Sequence, residues 1–305
     1  MNYAVWVPLL LPLLAAPAAR RLAEALPPRT AAWLLAGSAV ALASCSTAAL
    51  ALLAGAGALR LPPVAALGHL VLPVVGDQVT VPAACAAAVL LAAVGAALVH
   101  AARRHIVLAA RARRAVAASG TAAGDLTVLD EDGPDAYALP GRPGRIVVTT
   151  GMLRALDPAE REVLLAHERA HLTGRHHLFL TALALSCAGH PALRVLRGPL
   201  SYALERWADE TAAAAVGDRR VAARAIGRAA LATRPAGRRP LAALSATTGP
   251  VPRRVAALLR PHPSRAPRTV AAALACCLAL SAACALEAAH DLHGSIEVAQ
   301  AERAG

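Results

Sequence analysis

The chain has 305 residues, 57% hydrophobic and only 2% aromatic, with a formal net charge of +12. That apolar excess is foreign to an ordinary soluble enzyme; it points to long Ala/Leu/Val runs, and the length fits one or two domains. All 31 basic residues are arginine and flank apolar segments, with no basic helix interleaved with aromatics, so the charge suits a membrane surface and no direct nucleic-acid binding is expected.

Residues 3–19 form an apolar run closed by Arg20 and Arg21, near the roughly 20 residues that cross a bilayer. A cleaved signal peptide is the competing reading, but no positive segment precedes the run and the arginines after it oppose export. Residues 31–59 and 80–102 are expected as second and third spans, joined by a proline-containing link, and residues 266–289 as a fourth. The six cysteines form no Cys-x-x-Cys pair and read as small buried residues. Arg20, Arg21 and Arg29 follow the first run, Arg103, Arg104, Arg111, Arg113 and Arg114 the third, and Arg260, Arg265 and Arg268 precede the fourth. The other side carries Arg60 and the acidic Glu287, Asp291, Glu297 and Glu302. This asymmetry puts both termini outside and residues 103–265 in the cytoplasm.

In that cytoplasmic part, residues 126–130 and 136–140 bracket a Glu131-Asp132-Gly133-Pro134 turn, and a β-rich run at 145–150 ends at Gly151. Together they predict a small antiparallel sheet. Residues 146–150 could be an edge strand that takes substrate by strand addition, or plain packing.

A helix follows, announced by Asp157 as N-cap, Pro158 in its first turn, Glu160 completing a capping box and Gly174 at its end. It carries His167-Glu168-Arg169-Ala170-His171. Histidines at i and i+4 share one helical face and suit a catalytic zinc, while Glu168 lies about 100° round, placed to act on water without being a ligand. Downstream, Glu205 and Asp209 are again i and i+4, the first suited as third ligand and the second to hydrogen-bond the far nitrogen of a ligand histidine. A solvated charged face is the bland reading of residues 205–210; the His-Glu-x-x-His helix outweighs it. Between the two, residues 178–196 are apolar enough for a span, but Gly189-His190-Pro191 interrupts them. His171 and Glu205 must both approach one ion to ~2 Å, so the segment cannot cross singly and stays on, or re-enters from, the cytoplasmic side. His190 reads as a turn residue. Tyr202, His176, His177 and Arg206 are candidates for stabilising an oxyanion, which the sequence does not rank.

These motifs, with Val147-Val148-Thr149-Thr150-Gly151-Met152-Leu153 before them and His190-Pro191 between, resemble the BlaR/MecR-type integral-membrane zinc metallopeptidases and, more distantly, the HtpX and CAAX-prenyl-protease type. The resemblance implies a mainly α membrane protein with four transmembrane helices and a cytoplasmic α+β zincin-like (gluzincin) metallopeptidase domain. The corresponding division is a three-span region at 1–102, the peptidase domain at 103–265, a fourth helix at 266–289 and a short extracellular tail at 290–305. By the same resemblance His167, His171 and Glu205 hold one Zn2+ per chain, Glu168 is the catalytic glutamate and Asp209 the acid behind a ligand. It implies an endopeptidase acting on protein substrates, in regulatory cleavage of a cytoplasmic winged-helix repressor or in membrane-protein quality control. Two departures stand out: no large extracellular sensor domain is expected after the fourth span, and Gly174-Arg175-His176-His177 replaces a common Arg-x-x-Asp-like ending of the zinc helix. A signalling scaffold that has lost activity would be marked by an altered Glu168, which is intact; a transporter with a chance motif would carry ionisable residues inside its spans, where they are nearly absent.

Overall fold

The computed structural model describes residues 3–67, 81–233, 250–260 and 268–301. Its first apolar run, expected as a single span, is not one continuous α-helix. Tyr3–Trp6 and Leu11–Leu14 are 3-10 turns on either side of α1 (Val7–Leu10), and α2 (Ala15–Ala25) follows. Proline explains the breaks, because Pro8, Pro12 and Pro17 each lack the N–H of a continuous helix. Pro12 cannot serve the Pro8 carbonyl, and Ser46 Oγ from the neighbouring helix donates to it instead at 2.6 Å. His190 Nε2 similarly lies 3.0 Å from Leu9 O.

Next come α3 (Pro28–Ala58), α4 (Pro62–Leu67) and α5 (Val81–Ser119). Among the described residues two helices, Pro28–Ala58 and Val81–Ala118, are long and apolar enough to cross a membrane, where four spans were expected. A Cβ on Gly57 would stand 2.2 Å from Ala84 Cβ, so the end of α3 abuts the start of α5 and the two helices run antiparallel. At 39 residues α5 is about 58 Å long, and it runs through the expected boundary at 102/103 without a break. Its first half exposes Val89 and Leu90; its second carries Arg103, Arg104, Arg111, Arg113 and Arg114.

Four short strands follow: β1 (Gly120–Ala123), β2 (Leu126–Leu129), β3 (Ala136–Leu139) and β4 (Arg145–Thr149). They form a mixed sheet of order β1-β2-β4-β3, with β2 and β4 parallel, which corrects the antiparallel expectation. The physical reason lies in β4, whose Ile146, Val147 and Val148 are all 0% exposed; an unbroken apolar run with both faces buried belongs at the centre of a sheet. Strand β4 therefore inserts between the two strands expected to form a hairpin, and it has no free edge to offer a substrate. The turn at 131–134 instead folds over the end of β4, held by Thr149 Oγ1, which donates to Gly133 O and accepts from Asp135 N, each at 2.9 Å. A Cβ on Gly151 would meet Asp132 O at 2.0 Å, so only glycine allows this approach.

The remaining helices are α6 (Thr150–Ala155), α7 (Pro158–Thr173), α8 (His176–Gly189), α9 (Arg197–Val216), α10 (Arg219–Ala232), α11 (Val251–Leu259) and α12 (Arg268–Ala301). α8 runs along α3: Phe179 meets Trp33 edge to face at 4.8 Å, and Gly189 rests on Ala43 and Thr47. With 14 residues α8 is about 21 Å long, short of the roughly 30 Å of a bilayer core. The chain turns at His190 into a 3-10 segment (Pro191–Leu196) and continues into α9, and α8 and α9 pack on each other and on α3. One apolar cluster joins α2 and α3 (Leu22, Leu35, Leu42) to α8 and α9 (Phe179, Leu183, Leu200, Leu204), so the long apolar helices and the motif-bearing helices share a core. In α12 the helix continues through residues 290–301, where a tail was expected; Arg265 and Glu302, used in the charge argument, lie outside the described residues.

Candidate metal centre

Helix α7 is built as its sequence predicts. Asp157 Oδ1 accepts from Glu160 N at 2.9 Å and Glu160 Oε2 accepts from Asp157 N at 3.1 Å, a reciprocal capping box. Glu160 is fully buried and also receives Arg228 Nη1 at 2.8 Å, which ties α7 to α10. This fixes the helix whose inner face presents His167, Glu168 and His171, all 1% exposed or less.

Helix α9 packs on α7 and brings Glu205 and Asp209 to that face, again almost completely buried. His167 Nε2 and His171 Nε2 lie 3.1 Å apart; Glu205 Oε2 is 3.6 Å from the first and Oε1 3.6 Å from the second. Among the described residues these three form a group whose ligand atoms all fall within 4.8 Å of one another. A tetrahedral ion with arms of about 2.0–2.1 Å spans edges of roughly 3.3 Å, so the donor set and its spacing fit zinc.

Behind each imidazole stands a partner. Asp209 Oδ1 lies 3.0 Å from His167 Nδ1, the arrangement the i, i+4 spacing implied. His176 Nδ1 lies 2.7 Å from His171 Nδ1, a contact the sequence did not signal. His176 is fully buried, tilted against Trp207 with ring centroids 4.6 Å apart, and Arg29 at the head of α3 covers the same indole at 5.5 Å. Burial and the charges of His167 and His177 push His176 down to about 3, so it is neutral and can accept the His171 Nδ1 proton.

Electrostatics divide the two candidate ligands. Burial opposes charging His167, but the Asp209 and Glu205 carboxylates outweigh it and raise it to about 9; burial and the positive charges around His171 hold that imidazole well below its ordinary value. A further group completes the cluster and was not singled out in the sequence: Arg254 of α11, 0% exposed, with Nη1 2.9 Å from Glu205 Oε2 and Nε and Nη2 2.8 and 2.6 Å from the two Asp209 oxygens. Burial raises Asp209, yet Arg254 and His167 together hold it below the usual carboxylate range. No spacing rule links position 254 to 209; only tertiary packing does.

Of the other candidates, Tyr202 carries the guanidinium groups of Arg206 and Arg253 at 5.9 and 5.4 Å, an aromatic and cationic stack. His177 is half-buried beside Arg175, and burial lowers it. Glu210 is engaged by Arg219 at 2.5 and 2.9 Å and belongs to the α9–α10 corner.

Known proteins give two likenesses. The chain is 38% identical over 79 residues to "Protease HtpX homolog" of Acidiphilium cryptum (strain JF-5), covering 25% of this chain and 28% of that protein, so it spans under a third of the relative's length. That relative is of the type the sequence resembles more distantly, and no solved structure matches. The family model for Peptidase family M48 matches residues 100–274, more than half of the chain and the whole stretch from the basic end of α5 through the histidine helix to Arg254: the chain belongs to Peptidase family M48, a family of zinc-dependent metallopeptidases.

Proposed function

We propose that the chain is a membrane-embedded zinc endopeptidase that holds its metal through His167, His171 and Glu205 and uses Glu168 as general base. The observation that carries this reading is the buried group of two imidazoles and one carboxylate at ligand spacing, with Glu168 fully buried one residue from His167. Zinc bound there supplies Lewis acidity for attack of water on the scissile carbonyl. Glu168 accepts the proton of the attacking water and returns it to the leaving amine. Asp209 and His176 fix the rings of His167 and His171 with their Nε2 atoms turned to one point.

The site lies at the Arg29 end of α3, the end that also approaches the basic half of α5, which supports a substrate presented on the arginine-rich side of the membrane. Under the BlaR/MecR resemblance that substrate is a cytoplasmic winged-helix repressor; membrane-protein quality control is the alternative. A zinc-loaded Glu168→Gln protein, recovered with what it holds, separates the two: one dominant cytoplasmic protein in the first case, assorted membrane proteins in the second.

Metal analysis of detergent-purified protein should give about one zinc per chain, lost in a His171→Ala, Glu205→Ala double variant. Glu168→Gln should keep the zinc and cleave β-casein about a thousandfold more slowly, because the amide matches the carboxylate in shape but takes no proton. Full zinc in the double variant overturns the ligand set; unchanged cleavage by Glu168→Gln overturns the base.

A further inference from the structure

We propose that Arg254 is a positioning residue of the metal centre, one guanidinium that orients both the ligand Glu205 and the acid Asp209 and supplies the charge that leaves the loaded site neutral. The inference rests on the reading of His167, His171 and Glu205 as ligands.

Arginine is almost never fully buried without a specific partner, and Arg254 is 0% exposed. Its neighbour Arg253 shows the ordinary alternative, reaching an exposed ion pair with Glu24 on α2. Arg254 turns inward and uses all three nitrogens: Nε and Nη2 clasp both oxygens of Asp209, and Nη1 takes Glu205 Oε2. Glu205 is thereby held with Oε1 toward His171 Nε2. Asp209 is held with Oδ1 toward His167 Nδ1. Two of the three ligands, Glu205 directly and His167 through Asp209, thus take their orientation from one side chain. A lysine could reach one carboxylate but could not span both, since its ammonium is a point charge and not a planar fork.

The charges argue the same way. Glu168, Glu205 and Asp209 put three negative charges into a site closed to solvent, and a divalent ion leaves one of them uncompensated. Buried charge without a counter-charge is costly, and Arg254 is placed to balance it.

The test uses full-length protein in detergent, with Arg254→Gln, Arg254→Lys and, as a control on the same helix, Leu258→Ala. Leu258 is buried in the α10–α11 packing and touches neither carboxylate in the role argued here. Three quantities are read: zinc affinity by chelator competition, the visible spectrum of the Co2+-substituted protein, and melting temperature. Arg254→Gln should weaken zinc binding about 10- to 100-fold and change the Co2+ spectrum, with Arg254→Lys between it and wild type. Leu258→Ala should lower the melting temperature and leave affinity and spectrum as they were. If Arg254→Gln also lowers only the melting temperature, Arg254 merely staples α11 and the proposal falls. Should Arg254→Gln not fold, Arg254→Lys decides, because wild-type affinity and spectrum in a variant without the fork overturn the proposal equally. Zinc lost from Glu205→Ala but unaffected at Arg254 overturns this inference alone, whereas zinc retained in Glu205→Ala overturns the ligand reading beneath it.

Discussion

His167 and His171 are the same side chain one helical turn apart, yet their surroundings pull their proton affinities in opposite directions. In zinc-free protein His167, raised to about 9 by its carboxylate neighbours against the effect of burial, keeps a proton across the neutral range, while His171 is already neutral there. Zinc must displace that one proton. Raising the pH removes the competitor, so apparent zinc affinity should climb about tenfold per pH unit and level off near pH 9. Chelator competition between about pH 6.5 and 8.5 checks the sign and the slope; a flat line would mean that His167 is not charged, and a slope near two that both rings are. At this scale the pentapeptide, Glu205 and Asp209 were legible because helical spacing alone sets which side chains share a face. Arg254 and His176 were not, for different reasons. Arg254 is one of 31 arginines and meets Asp209 across 45 residues of sequence. His176 was visible as a departure from a family pattern, but its contact with His171 depends on a corner that no periodicity describes.

That corner joins α7 to α8 and shows how elements set up the site. Gly174 ends α7 with an ordinary φ of −74°, so conformational freedom does not explain it; Arg175 takes the left-handed conformation, at φ 51°. Space does: a Cβ at 174 would stand 2.5 Å from His176 Nε2 and 2.9 Å from Ala170 O. Gly174→Ala should therefore displace the His176 ring from His171, weaken zinc binding about tenfold and cost about 1–3 kcal/mol of stability. Zinc affinity and melting temperature measured together check this, and a change in stability alone would separate His176 from the metal. Other elements repay the same attention to local chemistry. The α7 capping box was readable because it is a four-residue motif with one geometry. The sheet order was not, because pairing partners are chosen by burial: the fully apolar β4 takes the centre and leaves β2 and β3 on either side of it. The breaks in the first apolar run went unread for a third reason, since hydropathy weighs proline lightly while the backbone cannot, and Pro8, Pro12 and Pro17 divide the run into short helical turns.

At the scale of the molecule, several of the described arginines gather at one end. Arg29 of α3 sits by Trp207 near the metal centre, and Trp33, 60% exposed, lies one turn further along. With α5 antiparallel to α3, Arg103 and Arg104 fall toward the same end. On the proposed topology this end faces the cytoplasm, and the prediction is direct. In protein stripped of its native cysteines, Thr121→Cys on exposed β1 should resist a membrane-impermeant thiol reagent in intact cells and react once they are opened, and Val298→Cys should react from outside. Labelling of Thr121→Cys in intact cells would invert the topology and remove cytoplasmic proteins as substrates. The fork of Arg254 onto Glu205 and Asp209 carries a last consequence, one of order in time. A ribosome delivers the histidine helix first, then the two acids, and the balancing guanidinium 45 residues after Asp209. Until α11 has emerged and docked, Glu205 and Asp209 lack the guanidinium that orients them, so a nascent chain should hold its ion about 10- to 100-fold more weakly than the finished protein.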